Sequence, residues 1–398
     1  MQKKQWLPTR HRHLAAIGAA CLVALAACKK TEEAASTAPV AFSRPDAAVM
    51  ADVVVPYELG GVFVAGQIFD DTGPGSWGWI ARIDADGSRL WEKELGKKAQ
   101  SAYFSAGMPF GEGNVLLAGT VNQGNASYEP ASAWLLALTG DGRMLWDKAL
   151  DFGSRTHALA ITTVRGKDDV YLVMGSVRDG DRDGKHRDRA WVVRIDAAGR
   201  QSLKKVVDSP DTFIPKTIAT LADGSFIVAG RAFVGPEQTM QGWIGRFTGD
   251  GKPQWSRTLD IKGSDIAAAG VDPADDSIVL AVDEGREGPV RLLRLDGAGK
   301  TLKDGGLVAL CGQPALWHTQ EGRLQLGGTS CPGAGKETEG IVVVPDLAHP
   351  DRVQRLAAPP GTTVRHLAGL PGNAEIGVLG ERRNGDAGAA VFTTRPMP

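Results

Sequence analysis

The chain has 398 residues, with 45 Lys and Arg against 46 Asp and Glu, 42 % hydrophobic and 23 % charged residues, and a formal net charge of −1. That balance is ordinary for a globular protein with a sizeable core. It carries no basic cluster, which sets nucleic acid aside as a partner, and 51 glycines suit a chain with many tight turns.

In chain order, a leader comes first. Lys3, Lys4, Arg10 and Arg12 form a positive N-terminal region, and LAAIGAACLVALAA from Leu14 to Ala27 is an apolar run too short to span a bilayer comfortably. Residues 1–27 therefore read as a signal peptide. The run ends in Leu25-Ala26-Ala27-Cys28, which resembles a bacterial lipobox. That resemblance implies cleavage before Cys28, diacylglycerol on its thiol and an acyl chain on its amine, hence a membrane anchor. An ordinary signal peptide with an incidental cysteine is the alternative. Lys29 and Lys30 follow, and the absence of Asp there resembles lipoproteins sorted to the outer membrane. Loss of a leader with four cations and no acid takes the net charge from −1 to −5. Residues 28–46 are rich in Ala, Thr, Glu and Pro with little to bury, and read as a flexible tether.

From residue 47 to 398 one plan repeats. The stretch Gly61 to Leu95, GVFVAGQIFDDTGPGSWGWIARIDADGSRLWEKEL, holds a β-branched run, a loop, a Trp-led alternating run, an Asp-Gly turn and a second Trp-led run. Aligned on the Gly that ends the β-branched run, the copies fall at Gly66, Gly119, Gly175, Gly230, Val282, Gly328 and Gly380, in steps of 53, 56, 55, 52, 46 and 52 residues. A third strand starts at Trp79, Trp134, Trp191 and Trp243 and weakens in later copies; its alternation has the period of a strand. Turns follow at Asp86-Gly87, Asp141-Gly142, Ala198-Gly199, Asp250-Gly251 and Ala298-Gly299, where Gly supplies positive φ. The closing strand holds Trp91, Trp146 and Trp255. Four short strands per copy, in seven copies, predict an all-β chain forming a single β-propeller of seven four-stranded blades. The recurrent Trp residues are expected to pack between neighbouring blades. The last copy has room for only three strands. An N-terminal strand, from Ala38–Phe42 or Val53–Val55, is expected to close the ring and remove the open edge. Trp77, Asp70 and Asp71 belong to the first copy alone and are expected to form a partner-facing loop.

The pattern G-x-(F/Y/V)-(I/V/L)-x-A-G, then (A/G)-W-(I/L/V)-x-x-(I/L/F)-(D/T)-x-x-G, then x-x-x-W, resembles a bacterial β-propeller repeat family found in secreted and lipid-anchored proteins. The match covers residues 50–398 and is strongest in the first four copies. It is also similar, at a distance, to quinoprotein-type propellers and to the propeller lipoprotein of the outer-membrane barrel-assembly machinery. Asp84-Ala85-Asp86-Gly87 is one residue shorter than the turn of those two groups.

Local chemistry is sparse. Cys311 and Cys331 remain after processing, and a hairpin pivoting at Glu321 would bring them together; a disulfide is expected, with two separate buried thiols as the alternative. Asp179, Asp181 and Asp183 ahead of Gly184 match the first half of a calcium loop, but Ala190 stands where its closing Glu belongs. A solvated charged hairpin is the competing reading. His157 and His366 fall near the start of the first strand of their copies, as do Asp52, Lys216 and Asp265; a mixed-charge ring at a channel mouth, or a wet channel without substrate, would follow. No nucleophile, phosphate-cradling or zinc pattern occurs. The sequence alone thus points to a non-enzymatic, lipid-anchored envelope protein without a cofactor, presenting loops to a protein or glycan partner. A channel-mouth enzyme acting on a sugar or small polar molecule, or an accessory factor in outer-membrane protein assembly, is the alternative.

Overall fold

The computed structural model describes residues 39–398 apart from 71–74, 97–100, 123–129, 154, 165, 179–186, 211, 286–288, 319–322, 332–339, 345, 359–361, 371–374, 385–386 and 397–398. The signal peptide, Cys28 and most of the tether lie outside these residues, as do Asp71 and the Asp179, Asp181 and Asp183 motif.

The described secondary structure is entirely β. Twenty-eight strands pair as antiparallel meanders of four. Their innermost strands are Ala47–Pro56, Ala102–Pro109, Arg155–Thr163, Thr212–Thr220, Asp265–Asp272, Leu310–His318 and Thr363–Gly369. Each packs beside the next, and Thr363–Gly369 returns to Ala47–Pro56, so the inner strands form a closed ring. This is a β-propeller, and each meander is one of its blades. Among the described residues a single parallel pairing, Arg155 with Ala131, joins blades two and three into one eight-stranded sheet.

Burial grades outward across each blade. The third strand of blade one, SWGWIARI, is buried at every position, whereas its outer strand, RLWEKEL, is largely exposed or half-buried. Apolar side chains on both faces of the middle strands are explained by the packing: each face meets a neighbouring blade. One cluster joins Val53, Phe63 and Ile80 of blade one to Phe104, Leu117 and Trp134 of blade two. The Trp-led third strands supply Trp79 against Phe42, Trp134 against Phe104 and Trp243 against Phe213, with ring centroids 4.8, 4.8 and 4.6 Å apart. These tryptophans are scaffold, as their recurrence implied.

The outer-strand tryptophans tie each blade to the following one. Trp91 donates its indole N–H to the carbonyl of Gly140, Trp146 to that of Ala197 and Trp255 to that of Gly297, at 3.1, 3.0 and 2.9 Å. Each acceptor lies in the turn between the third and fourth strands of the next blade. The glycine of that turn has positive φ (79° at Gly142, 72° at Gly199, 82° at Gly299) and lies against the indole ring, where an added Cβ would come within about 3.0 Å of it. The Asp-Gly and Ala-Gly turns are therefore constrained twice, by backbone conformation and by close approach of a neighbouring ring.

Val40–Phe42, inside the stretch read as tether, pairs antiparallel with Ala387–Pro396 and completes the last blade. Both ends of the described chain thus lie in one blade, as expected; Val53–Val55 instead belongs to the inner strand of blade one. Phe42 is fully buried against Trp79, and Arg44 bonds Glu92 and Glu94 on the outer strand of blade one.

The aligned glycines have a physical reason that the repeat pattern does not show. Every inner strand carries a bulge where it pairs with the second strand: one extra residue at Asp52, Ser105, Leu159, Lys216, Ala267 and Arg365, and residues 312–314 in blade six. In blades one, two and four a backbone carbonyl beside the bulge lies against the facing residue. A Cβ on Gly66 would lie 2.1 Å from the oxygen of Met50, one on Gly119 1.9 Å from that of Tyr103, and one on Gly230 2.2 Å from that of Ile214. In blade three the sequence alignment is off by one. Met174, not Gly175, faces Trp191 and holds the position of Gly66.

Two outcomes follow. Phe42→Ala should cost about 3–5 kcal/mol by cavity formation at the closing seam, read by urea unfolding. Gly66→Ala should cost about 1–3 kcal/mol from overpacking, while Gly175→Ala, which meets only the tip of the Leu159 side chain at 3.2 Å, should stay within about 0.5–1 kcal/mol of the parent. Equal losses at the two glycines would refute this strand register.

Candidate functional site

The inner-strand bulges set polar and charged residues at one level of the inner ring. Because every blade repeats the same meander, the seven inner strands run in the same sense and their starts lie together. At or within two residues of a bulge stand Asp52, Tyr103, Ser105, His157, Lys216, Asp265 and Arg365. Asp265 and His157 stand near the starts of their strands, as the sequence reading placed them, whereas Asp52 and Lys216 stand at the middle of theirs.

The seam between blades seven and one holds two carboxylates and one guanidinium. Arg365 donates through Nη2 and Nε to Oε2 of Glu381, at 2.5 and 3.2 Å. Asp52 stands close enough to feel both. Burial raises its pKa above the usual carboxylate range; Arg365 opposes that shift, and Glu381 adds to it by like-charge repulsion. The environment thus separates the two acids. Glu381 is paired with arginine, and Asp52 is biased towards holding a proton. His366, next to Arg365, is pushed down to about 4 by burial. It is neutral at physiological pH, which removes it as a proton donor there.

Between blades two and three, Nδ1 of His157 lies 3.3 Å from the hydroxyl of Tyr103 and 3.2 Å from that of Thr120. A hydroxyl donating to Nδ1 puts the ring proton on Nε2. Ser105 spans the same seam, donating to the carbonyl of Ala158 at 2.6 Å.

Between blades four and five, Lys216 Nζ and Arg231 Nη1 face Oδ2 of Asp265 at 4.0 and 3.7 Å. Burial raises the Asp265 pKa, the two cations oppose it, and Asp283, its cross-strand neighbour, adds to it.

Sequence reading missed Arg365, Glu381, Arg231, Tyr103 and Thr120. Arg365 carried a usable signal. Asp52 and Lys216 each stand fourteen residues before their aligned Gly, and Arg365 stands fifteen before Gly380. Glu381 and Arg231 follow directly after Gly380 and Gly230 on second strands, a place where the repeat pattern gives no reason to look.

Other expected sites fare differently. Trp77 is corrected: it is 6 % exposed, packed with Trp79, and donates to Glu94 at 3.0 Å. The third strand begins already at Ser76 and draws Trp77 into the core, so it is not offered to a partner. Asp70 ends the preceding strand. Cys331 is in a disulfide. The hairpin is centred on Glu321 from Ala315–Gly327 to His318–Leu324, but the bulge at 312–314 sets Cys311 opposite Thr329, two residues short of Cys331. We propose Cys311 as the partner. Non-reducing peptide mapping should recover a Cys311–Cys331 cross-linked pair, and a free Cys311 would rule this out.

No protein-family model matches the sequence, and no curated protein matches it. Solved structures do. A puromycin hydrolase is 16 % identical over 87 % of this chain and 54 % of its own, with a TM-score of 0.50. The sialidase of Trypanosoma rangeli is 10 % identical over 89 % of this chain and 59 % of its own, with a TM-score of 0.51. The chain therefore spans little more than half the length of these two proteins. At such identity the likeness is one of fold. It nonetheless overturns the expectation of a protein without enzymatic activity. That expectation rested on missing linear motifs, and this fold serves named enzymes at this level of likeness. Chemistry assembled from several blades leaves no linear motif.

Proposed function

We propose that the protein is a channel-mouth enzyme acting on a sugar or another small polar molecule, by proton-assisted cleavage between Asp52 and Glu381. The observation that supports this most is the blade seven–one seam, where Arg365 pairs with Glu381 while burial biases the nearby Asp52 towards the acid form. A pair of acids pushed apart in this way divides the roles of proton donor and of base or nucleophile. Asp52 donates to the leaving oxygen; Glu381 either activates water or attacks the reacting carbon; Arg365 orients Glu381. His157, with its tautomer set by Tyr103 or Thr120, orients a substrate hydroxyl. The names of the fold neighbours, a hydrolase and a sialidase, agree with cleavage chemistry but do not choose the substrate.

In this proposal the leader places the enzyme in the cell envelope. Cleavage before Cys28 and acylation there anchor it, on the outer membrane in keeping with Lys29 and Lys30, with residues 29–39 as the spacer before the closing strand.

The processed protein is assayed against chromogenic glycosides, uronides and esters of small polar acids. Turnover of at least one is expected. Asp52→Asn should then lower kcat by about 10²–10⁴-fold, the usual scale for a general acid, with thermal unfolding unchanged. A general acid works only while protonated, so activity should fall as pH rises through the raised pKa of Asp52, and Asp52→Asn should lose that alkaline limb. Full turnover in both Asp52→Asn and Glu381→Gln would exclude this seam.

A further inference from the structure

The seam between blades four and five has a different character from the one assigned to catalysis. Lys216 sits on the bulge of Thr212–Thr220, Arg231 on the adjoining strand Phe226–Val234, and Asp265 at the head of Asp265–Asp272. Both cations address the same oxygen, Oδ2 of Asp265, at 4.0 and 3.7 Å. Charge-assisted hydrogen bonds close to about 2.7–2.9 Å, so neither contact is one. Oδ1 of Asp265 and Nε of Arg231 are buried and, among the described residues, have no hydrogen-bond partner. Buried polar atoms are normally satisfied, and a pair left open between two blades calls for an explanation. Elsewhere the fold closes such pairs: Arg194 reaches Asp169 at 2.6 Å and Arg246 reaches Asp223 at 2.7 Å, both at the opposite ends of their strands.

The chemistry of the two open atoms specifies what would fill them. Oδ1 of a carboxylate accepts and Nε of a guanidinium donates. A hydroxyl does both and can serve both atoms. The charge around them is balanced, with Lys216 and Arg231 against Asp265 and Asp283. An anionic ligand would meet two carboxylates and a cationic one two cations, whereas a neutral polyol meets neither penalty. Access is through the side chains that cover the pair. Lys216 and Arg231 are 29 % and 36 % exposed, and their loose contacts are readily exchanged for real hydrogen bonds.

We propose that Lys216, Arg231 and Asp265 form a subsite for a neutral sugar, binding two neighbouring hydroxyls, with Asp265 accepting and Arg231 and Lys216 donating. This rests on the reading of the mouth as a sugar-processing site and names the substrate class as neutral. The three residues bind and orient; proton transfer stays with the opposite seam.

The test reads binding rather than turnover. Saturation-transfer NMR of the processed protein is run with D-glucose, D-galactose and D-mannose, and with glucuronate and glucosamine as charged counterparts. At least one neutral sugar should bind saturably, and at least about tenfold more tightly than either charged one, the factor carried by one hydrogen bond or one unfavourable charge. Arg231→Leu and Asp265→Asn should each weaken it about tenfold or more, and Arg231→Lys should recover part of the loss. Unchanged thermal unfolding guards against misfolding; if Asp265→Asn fails to fold, the Arg231 pair decides. No saturable binding of any neutral sugar, a preference for a charged one, or binding indifferent to Arg231 overturns the subsite. Binding without turnover of any substrate would leave the subsite standing and remove the enzymatic reading; turnover lost in Asp52→Asn but sugar binding untouched by Arg231→Leu would do the reverse.

Discussion

The bulge on the inner strand of each blade is the constraint on which the rest of this molecule depends. An extra residue in one strand of an antiparallel pair bends that strand and re-aims a side chain. Here it recurs at one level around the ring, so Asp52, Ser105, Lys216 and Arg365 stand at equivalent places on the inner strands of four blades. The same bend presses a carbonyl against the second strand, and Gly66, Gly119 and Gly230 are glycine because nothing larger fits beneath it. In blade one that carbonyl is also used: Met50 accepts the indole N–H of Trp79 at 3.0 Å. Scaffold and site are therefore coupled through one backbone feature.

Around this ring the blades are held by reciprocal contacts. At the closing seam the third-strand Trp79 packs against Phe42 of the last blade, and an outer-strand tryptophan hydrogen-bonds a turn of the following blade. The result is a ring of nearest-neighbour interfaces that closes at the seam between its two ends. There three residues, Val40–Phe42, complete the last blade, and Arg44 reaches to the outer strand of the first. The proposed catalytic seam, Asp52 with Arg365 and Glu381, lies in that same junction of blades seven and one. Its geometry depends on ring closure.

Two seams at the mouth treat charge in opposite ways. At Arg365 and Glu381 the ion pair is short and complete, and the neighbouring Asp52 bears the cost of burial. At Lys216, Arg231 and Asp265 the pairs are long and two buried atoms stay open. A tight pair fixes one protonation pattern, as proton transfer needs. A loose pair keeps its hydrogen-bonding capacity for something that arrives.

Much of the architecture was legible in the sequence. The period near fifty residues, the Gly turns and the paired tryptophans determine strand number, hairpin order and the need for a closing N-terminal strand, because side-chain alternation and turn conformation are local properties. Asp52, His157, Lys216 and Asp265 could be placed on the inner strands for the same reason. Register was not local. Whether Met174 or Gly175 faces the third strand, or Cys311 meets Thr329 or Cys331, depends on bulges that only strand pairing creates. Trp77 resembled a loop residue until the third strand proved to start at Ser76. Glu381 and Arg231 acquire meaning only where neighbouring blades bring them against Arg365 and Asp265. The sequence by itself determined what kind of ring this is; the tertiary structure decided which charges share a seam, since partners drawn from different blades are set by packing rather than by spacing along the chain.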